Sequence, residues 1–217
     1  MKFFSFLYSL AGFPAEESAL TEEVKKLTAE NELLKEQIER LEDHVGIDGL
    51  TGTSTRRIFE HELDTLLKII RGEIQENREG QKVIREISLI FVDLDHFKRV
   101  NDTYGHSVGD VVLKQVAALL MSSVRETDTV ARVGGEEFVV LLRGAGEEFA
   151  ARDAEKFRTR IEQFSFPDIP ALKVTASFGV CSSKNSTEAK ALYECADKAL
   201  YKAKRGGRNR VVVYGRL

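Results

Sequence analysis

The chain has no excess of basic charge. Its 217 residues carry 32 Lys and Arg against 35 Asp and Glu, a formal net charge of −3, whereas bulk nucleic-acid binding requires a basic face that neutralises phosphates. Cysteine is nearly absent. Cys181 and Cys195 lie far from any paired metal-binding spacing, and two lone thiols suit a reducing, cytoplasmic compartment better than a disulfide framework. No membrane span is expected either: residues 1–13 (MKFFSFLYSLAGF) are apolar but too short to cross a bilayer. They resemble a secretory signal only in Lys2 and an apolar run, with no small-x-small cleavage site before Pro14 and an acidic stretch. Residues 1–19 therefore read as a segment packing on a partner helix, or as the stub of a larger sensory chain. No internal repeat occurs beyond the heptads described next.

What is present is a core-forming composition, 42% hydrophobic and 31% charged, enough for one domain and an accessory segment. Over residues 20–45 apolar positions alternate in steps of four and three. Leu20, Leu27, Leu34 and Leu41 occupy d; Val24, Asn31, Ile38 and Val45 occupy a. Leucine at d, β-branched residues at a and one asparagine at a specify a parallel two-stranded coiled coil with fixed register. The alternative is an amphipathic helix packed on its own domain. A DNA-binding zipper needs a basic stretch upstream, and residues 1–19 contain only Lys2, so no DNA contact is expected.

Gly46 and Gly49 break the helix, and DGLTGTSTRR (residues 48–57) turns into a helix over about 56–74 that Thr53, Ser54 or Thr55 could cap. Residues 75–86 read as a surface loop or an extended helix end. Downstream, ISLIFV (residues 87–92) is continuous enough for a central strand. A helix over 108–124 follows, then strands 129–133 and 138–142 around a Gly-Gly turn. A helix over 147–164, a strand over 172–180, a helix over 189–204 and a strand over 211–214 complete the chain. This order implies an α+β fold, a largely antiparallel sheet of about five strands flanked by helices, occupying residues 46–217.

Asp93 and Asp95 stand where the apolar strand ends, and Glu136 and Glu137 follow Gly134 and Gly135 at the hairpin tip. Carboxylates from adjacent strands meeting near a loop suit a hard cation. Lys98, Lys204 and Arg208 add positive charge of the kind a polyphosphate needs.

DLDHFKRVNDTYGHSVGD (93–110) followed by GGEEF (134–138) closely resembles the GGDEF family of diguanylate cyclases. DGLTGTSTRR resembles that family's opening motif and residues 196–209 its C-terminal run, so these ordered motifs span about residues 46–215. The resemblance implies a fold similar to the palm of class III nucleotide cyclases and polymerases. It also implies an enzyme that joins two GTP molecules into cyclic di-GMP across a homodimer, with magnesium or manganese. By the same resemblance Asp93, the Leu94 carbonyl, Glu136 and Glu137 would hold the metal, with Glu136 also receiving the hydroxyl proton. Amides near His96 and Phe97, together with Lys98, Lys204 and Arg208, would cradle phosphates. Gly134 and Gly135 would let the backbone turn tightly beside the substrate. Asn101 and Asp110 would read guanine, whose N1 and N2 donors match a carboxylate as adenine's N1 acceptor does not. Asp110 could instead cap the next helix. His106 either lines the base pocket or makes a turn-stabilising hydrogen bond.

Arg125-Glu126-Thr127-Asp128 matches the family's RxxD product-inhibition site, unless Arg125 and Asp128 merely pair with each other. A second arginine contributed by some members stands here as Lys156, which lacks the planar fork. The opening motif also departs from the family at Gly49, Thr53 and Thr55, where proline, leucine and asparagine are usual. A catalytically inactive receptor for cyclic di-GMP or GTP is the rival reading, and it is disfavoured by the intact acidic turn. A zipper that only organises a larger sensor is another rival. A mixed GMP–AMP product is disfavoured by Asp110.

Overall fold

The structure, a computed structural model, describes residues 21–34, 46–74 and 84–216. The chain divides into two compact units, Met1–Val45 and Gly46–Leu217. In the first, residues 21–34 are helical. Val24, Leu27 and Leu34 are about half exposed, at 55%, 51% and 49%, and the Asn31 amide donates back to the Leu27 carbonyl at 3.1 Å. The remaining heptad positions (Leu20, Ile38, Leu41 and Val45), residues 1–19 and residues 75–83 of the expected loop lie outside the described residues.

The second unit runs β1 (Ser54–Thr55), α1 (Arg56–Ile70), β2 (Ile87–Leu94), α2 (Phe97–Tyr104), α3 (His106–Met121), β3 (Thr129–Arg132), β4 (Glu137–Arg143), α4 (Glu147–Gln163), β5 (Ala176–Ser182), α5 (Ala189–Arg205), β6 (Val211–Val213) and a final 3-10 turn, Tyr214–Arg216. The sheet order is β1-β3-β4-β2-β5-β6. The α+β class, the palm-like sheet and the flanking helices agree with the sequence reading. The sheet has six strands where about five were expected, because the two-residue β1 pairs parallel to β3 at one edge. β6 pairs parallel to β5 at the other, and the interior pairings are antiparallel. Both edge strands are short, which limits exposed pairing groups.

All eight residues of β2 are buried, as a strand covered on both faces requires. Ile90, Val92 and Leu94 pack into a core with Val112, Leu113 and Val116 of α3 and Phe157 and Ile161 of α4. Leu89 and Phe91 point the other way, into a core with Phe59 and Leu63 of α1 and Leu192 and Leu200 of α5. The period of two along the strand thus builds two half-cores from one segment.

Several boundaries move from their expected places. The first domain helix ends at Ile70 rather than near 74. β5 begins at Ala176, although Leu172 and Val174 are buried. α2 has no counterpart in the sequence reading. None of the three proposed caps makes a side-chain bond at α1: Thr55 stands at the N-cap without one, and Thr53 is buried and bonded to Thr51. The two cysteines are not lone thiols. β5 and α5 bring Cys181 and Cys195 together as a disulfide, with sulfurs 1.94 Å apart, because the two residues face each other across a tightly packed strand and helix.

That packing rests on Gly179. A Cβ there would lie 2.2 Å from the Ala196 carbonyl oxygen and 2.3 Å from the Leu200 nitrogen, so α5 lies directly on the β5 backbone and no side chain can rotate away. Gly179→Ala should destabilise the domain by about 3 kcal/mol, lowering the melting temperature by roughly 10 °C. A calorimetric melt within about 2 °C of the parent would refute this account of the contact.

Candidate functional site

β2 leaves the sheet at Asp93 and Leu94, and Asp93 pairs in register with Glu137 of β4. Strand burial carries the Asp93 carboxylate into a nearly closed position, 6% exposed, where Lys204 of α5 reaches it at 2.6 Å. Burial pushes the Asp93 carboxyl above the usual carboxylate range, while the Lys204 hydrogen bond and charge pull it down and Asp95 adds to the rise. Glu136, half-buried in the turn before β4, is also raised, first by burial and then by the negative charge of Asp93, with Lys204 opposing. Asp93, Glu136 and Lys204 therefore share one electrostatic site. Arg208 is near enough to favour the Asp93 anion.

The acidic turn is held from outside. The Arg132 guanidinium donates to the Gly135 carbonyl at 2.7 Å and pairs with Asp48 at 3.3 Å. Asp48 also accepts the Thr51 N–H at 2.8 Å and the Thr51 hydroxyl. The turn closes with the Val133 N–H donating to the Glu137 carbonyl at 3.0 Å. Neither Gly134 nor Gly135 has positive φ, so the bend at 134–136 does not draw on glycine's left-handed freedom. A Cβ at Gly134 would meet only the flexible end of the exposed Glu137 side chain, and one at Gly135 would meet nothing. Glu137 itself is exposed. It lines an open groove of about 1130 Å³ with Lys198, Tyr201, Lys204, Arg205 and Tyr214.

Leu94 donates its N–H to the Glu136 carbonyl at 3.4 Å, which leaves its own carbonyl at the strand end. His96 adopts φ 58°, ψ 28° and starts α2, so the first-turn amides at Phe97 and Lys98 face outward from a helix N-terminus. Phe97 is buried and Lys98 exposed. Asn101 of α2 lies against α3: its Oδ1 is buried without a hydrogen-bond partner, and a Cβ at Gly109 would come within 1.9 Å of it. Asp110 follows on α3 and is exposed. It is not the helix cap, since Gly105, at φ 85°, holds that place. His106 begins α3 exposed; no turn-stabilising bond from its ring is seen among the described residues.

Arg125, Asp128 and Lys156 gather around the end of α3. Asp128 accepts backbone N–H groups from Arg143 at 3.0 Å and Arg125 at 3.1 Å, so the carboxylate shapes the turn and does not pair with the Arg125 guanidinium, which is exposed. Lys156 donates to the Ser123 carbonyl at 3.3 Å, two residues from Arg125. Sequence reasoning passed over Arg132, whose only signal was its place two residues before the glycine pair. It placed Asp95 with Asp93 among the strand-end carboxylates suited to a cation; the structure buries it to 6% exposure among the Ser177 and Thr175 hydroxyls and the Asn209 N–H. Among the described residues no three His, Cys, Asp or Glu side chains cluster closely enough to hold a metal by themselves, and no helix is long and apolar enough to cross a membrane.

Residues 45–210 match the model of the family described as diguanylate cyclase, GGDEF domain. The chain is 45% identical over 139 residues to diguanylate cyclase A of Treponema denticola, covering 63% of this chain and 37% of that protein. It is 36% identical over 185 residues to diguanylate cyclase DosC of Escherichia coli, covering 84% and 38%. It thus spans less than half the length of these curated relatives. Among solved structures, the coiled coil and GGDEF domain of DgcB from Caulobacter crescentus, in complex with c-di-GMP, superposes with a TM-score of 0.69 at 31% identity, covering 89% of this chain and 98% of that one. The active GGEEF domain of a diguanylate cyclase from Vibrio cholerae gives 0.63 at 33% identity, over 74% and 96%. With its six-stranded sheet, its acidic turn and these likenesses, the chain belongs to the GGDEF family of diguanylate cyclases.

Proposed function

We propose that this chain is an active diguanylate cyclase that condenses two GTP molecules into cyclic di-GMP with release of two pyrophosphates, working in the cytoplasm where GTP is made. The observation that carries the reading is the meeting of Asp93, Glu136 and Lys204 at the end of β2. The donor set fits a divalent ion such as magnesium or manganese. Such ions use one or two carboxylates together with substrate phosphates rather than an all-protein cage. Asp93, Glu136 and the Leu94 carbonyl would hold it, with Glu137 as a further contact. When bound, the ion lowers the pKa of the attacking hydroxyl and neutralises phosphate charge.

The remaining work falls to this chain's own residues. The outward amides at Phe97 and Lys98, with the side chains of Lys98, Lys204 and Arg208, bind the triphosphate. Gly134 and Gly135 keep the approach to the turn clear. Asn101 and Asp110 read the guanine edge, with His106 beside the base. Glu136, within reach of the attacking oxygen, receives the proton of the 3′-hydroxyl directly or through water as that oxygen attacks the α-phosphorus and pyrophosphate leaves. Each domain binds one GTP, so catalysis needs a homodimer, and residues 20–45 form the parallel coiled coil that brings two domains together. The half-exposed Val24, Leu27 and Leu34 support this reading. Arg125, Asp128 and Lys156 bind cyclic di-GMP as an inhibitor. A receptor without activity would have no use for the paired carboxylates.

Glu136→Gln should lower initial velocity at least 100-fold, several kcal/mol of transition-state stabilisation, with an unchanged circular-dichroism spectrum. Residual activity within tenfold of the parent, measured by chromatography of the nucleotide products, would contradict the assignment.

The pKa directions generate a second expectation. Asp93 and Glu136 hold protons more tightly folded than unfolded, so the metal-free fold binds more protons than the unfolded chain just above the ordinary carboxylate range. Its stability is therefore greatest below about pH 4 for these groups and falls as pH rises through their raised folded values. In chelator, the parent's melting temperature should decline across weakly acidic pH more steeply than that of Asp93→Asn/Glu136→Gln. Magnesium should raise it at neutral pH in the parent alone. Superimposable melting profiles for the two proteins would exclude this coupling.

The zipper can be tested through reaction order. Leu27→Lys/Leu34→Lys sets like charges across the seam and removes about 2–5 kcal/mol of packing per site. The variant should sediment as a monomer at micromolar concentration and still bind GTP. Its velocity should rise with nearly the square of protein concentration, while the parent's rises linearly. A monomeric variant with parental specific activity would show that the zipper does not unite the half-sites.

A further inference from the structure

Two consecutive non-glycine residues, Arg208 at φ 64° and Asn209 at φ 45°, occupy left-handed backbone that L side chains rarely adopt. Such a conformation persists only where its surroundings over-determine it. Three elements do so here. The Asn209 N–H donates to Oδ2 of Asp95 at 3.0 Å, and the same carboxylate accepts the Thr175 hydroxyl at 2.8 Å and the Ser177 hydroxyl at 2.7 Å. The Asn209 side chain is gripped from the opposite direction by α4: its amide donates to Oε1 of Glu162 at 2.7 Å and accepts from Arg158 at 3.0 Å. Arg158 in turn pairs with Glu162 at 2.9 Å. The Arg208 N–H is fixed to the Ala203 carbonyl at 3.0 Å. The Arg208 guanidinium, by contrast, is exposed and has no ion pair with Asp93, though its charge favours the Asp93 anion.

We infer that Asp95 and Asn209 are positioning residues for substrate phosphate: together with Glu162 and Arg158 they clamp a strained turn whose exposed Arg208 guanidinium is aimed at the polyphosphate of GTP. The inference rests on the proposed phosphate role of Arg208. Asp95, though two residues from Asp93 and also acidic, has its oxygens filled by three protein donors and acts on the reaction only through Asn209. The device trades backbone strain for a pre-set arginine, so that little side-chain and loop freedom is lost when the anion binds.

The test is a double-mutant cycle. Arg208→Ala, Asn209→Ala and the double variant are compared with the full-length parent by pyrophosphate release over a range of GTP concentrations, with melting temperatures recorded alongside. Arg208→Ala should raise KM for GTP about tenfold or more, and Asn209→Ala should raise it comparably with kcat changed less than threefold. The double variant should be no worse than Arg208→Ala alone. Asp95→Ala, which removes the acceptor of the Asn209 N–H, should behave as Asn209→Ala does; if it fails to fold, the Asn209 cycle decides. Multiplying effects in the double variant, or an unchanged KM in Asn209→Ala while Arg208→Ala raises it, would overturn the clamp and leave the phosphate role standing. An unchanged KM in Arg208→Ala would overturn both.

Discussion

The two-sided burial of β2 is the constraint from which the rest of the domain follows. A strand with eight buried residues needs apolar layers above and below it, and α3 with α4 and α1 with α5 supply them. The same burial sets the character of Asp93. The carboxylate is the first charged group beyond a continuous apolar run, so it arrives at the sheet end with little solvent, and its raised pKa and its pairing with Lys204 both follow. A carboxylate on an exposed loop would have neither property.

Gly179 and Lys204 are linked through the same geometry. Because no side chain intervenes at Gly179, α5 settles onto β5, and the last turns of that helix then run toward the end of β2, where Lys204 meets Asp93. Close packing at Gly179 thus determines where the Lys204 ammonium can point. The disulfide between Cys181 and Cys195 joins the same two elements.

Much of this was legible in the sequence. Continuous hydrophobicity marked β2 as central, the Gly-Gly turn marked the β3–β4 hairpin, and the family-like motifs included Asp93, Glu136 and Lys204, which the fold brings together. What escaped was information carried by distance. Cys181 and Cys195 are fourteen residues apart and look unrelated until a strand and a helix face each other. Asp95 looks like a second site acid until Thr175, Ser177 and Asn209 close around it. The glycines of the turn invited an argument from backbone freedom, but neither takes a positive φ. The short α2, eight residues over FKRVNDTY, carries too few apolar positions to announce itself.

Asn101 carries an unpaired acceptor inside the fold. Its Oδ1 is already desolvated and has no protein donor, pressed against a helix that only a glycine at 109 allows so near. An unpaired buried acceptor costs about 1–3 kcal/mol, and this one bears that cost before any ligand arrives. A ligand that offers an N–H there removes the penalty, while one that offers a lone pair adds repulsion to it. Under the proposed guanine-reading role, the cost at this atom would be relieved only by a ligand with a donor at that point, so a local penalty would become discrimination.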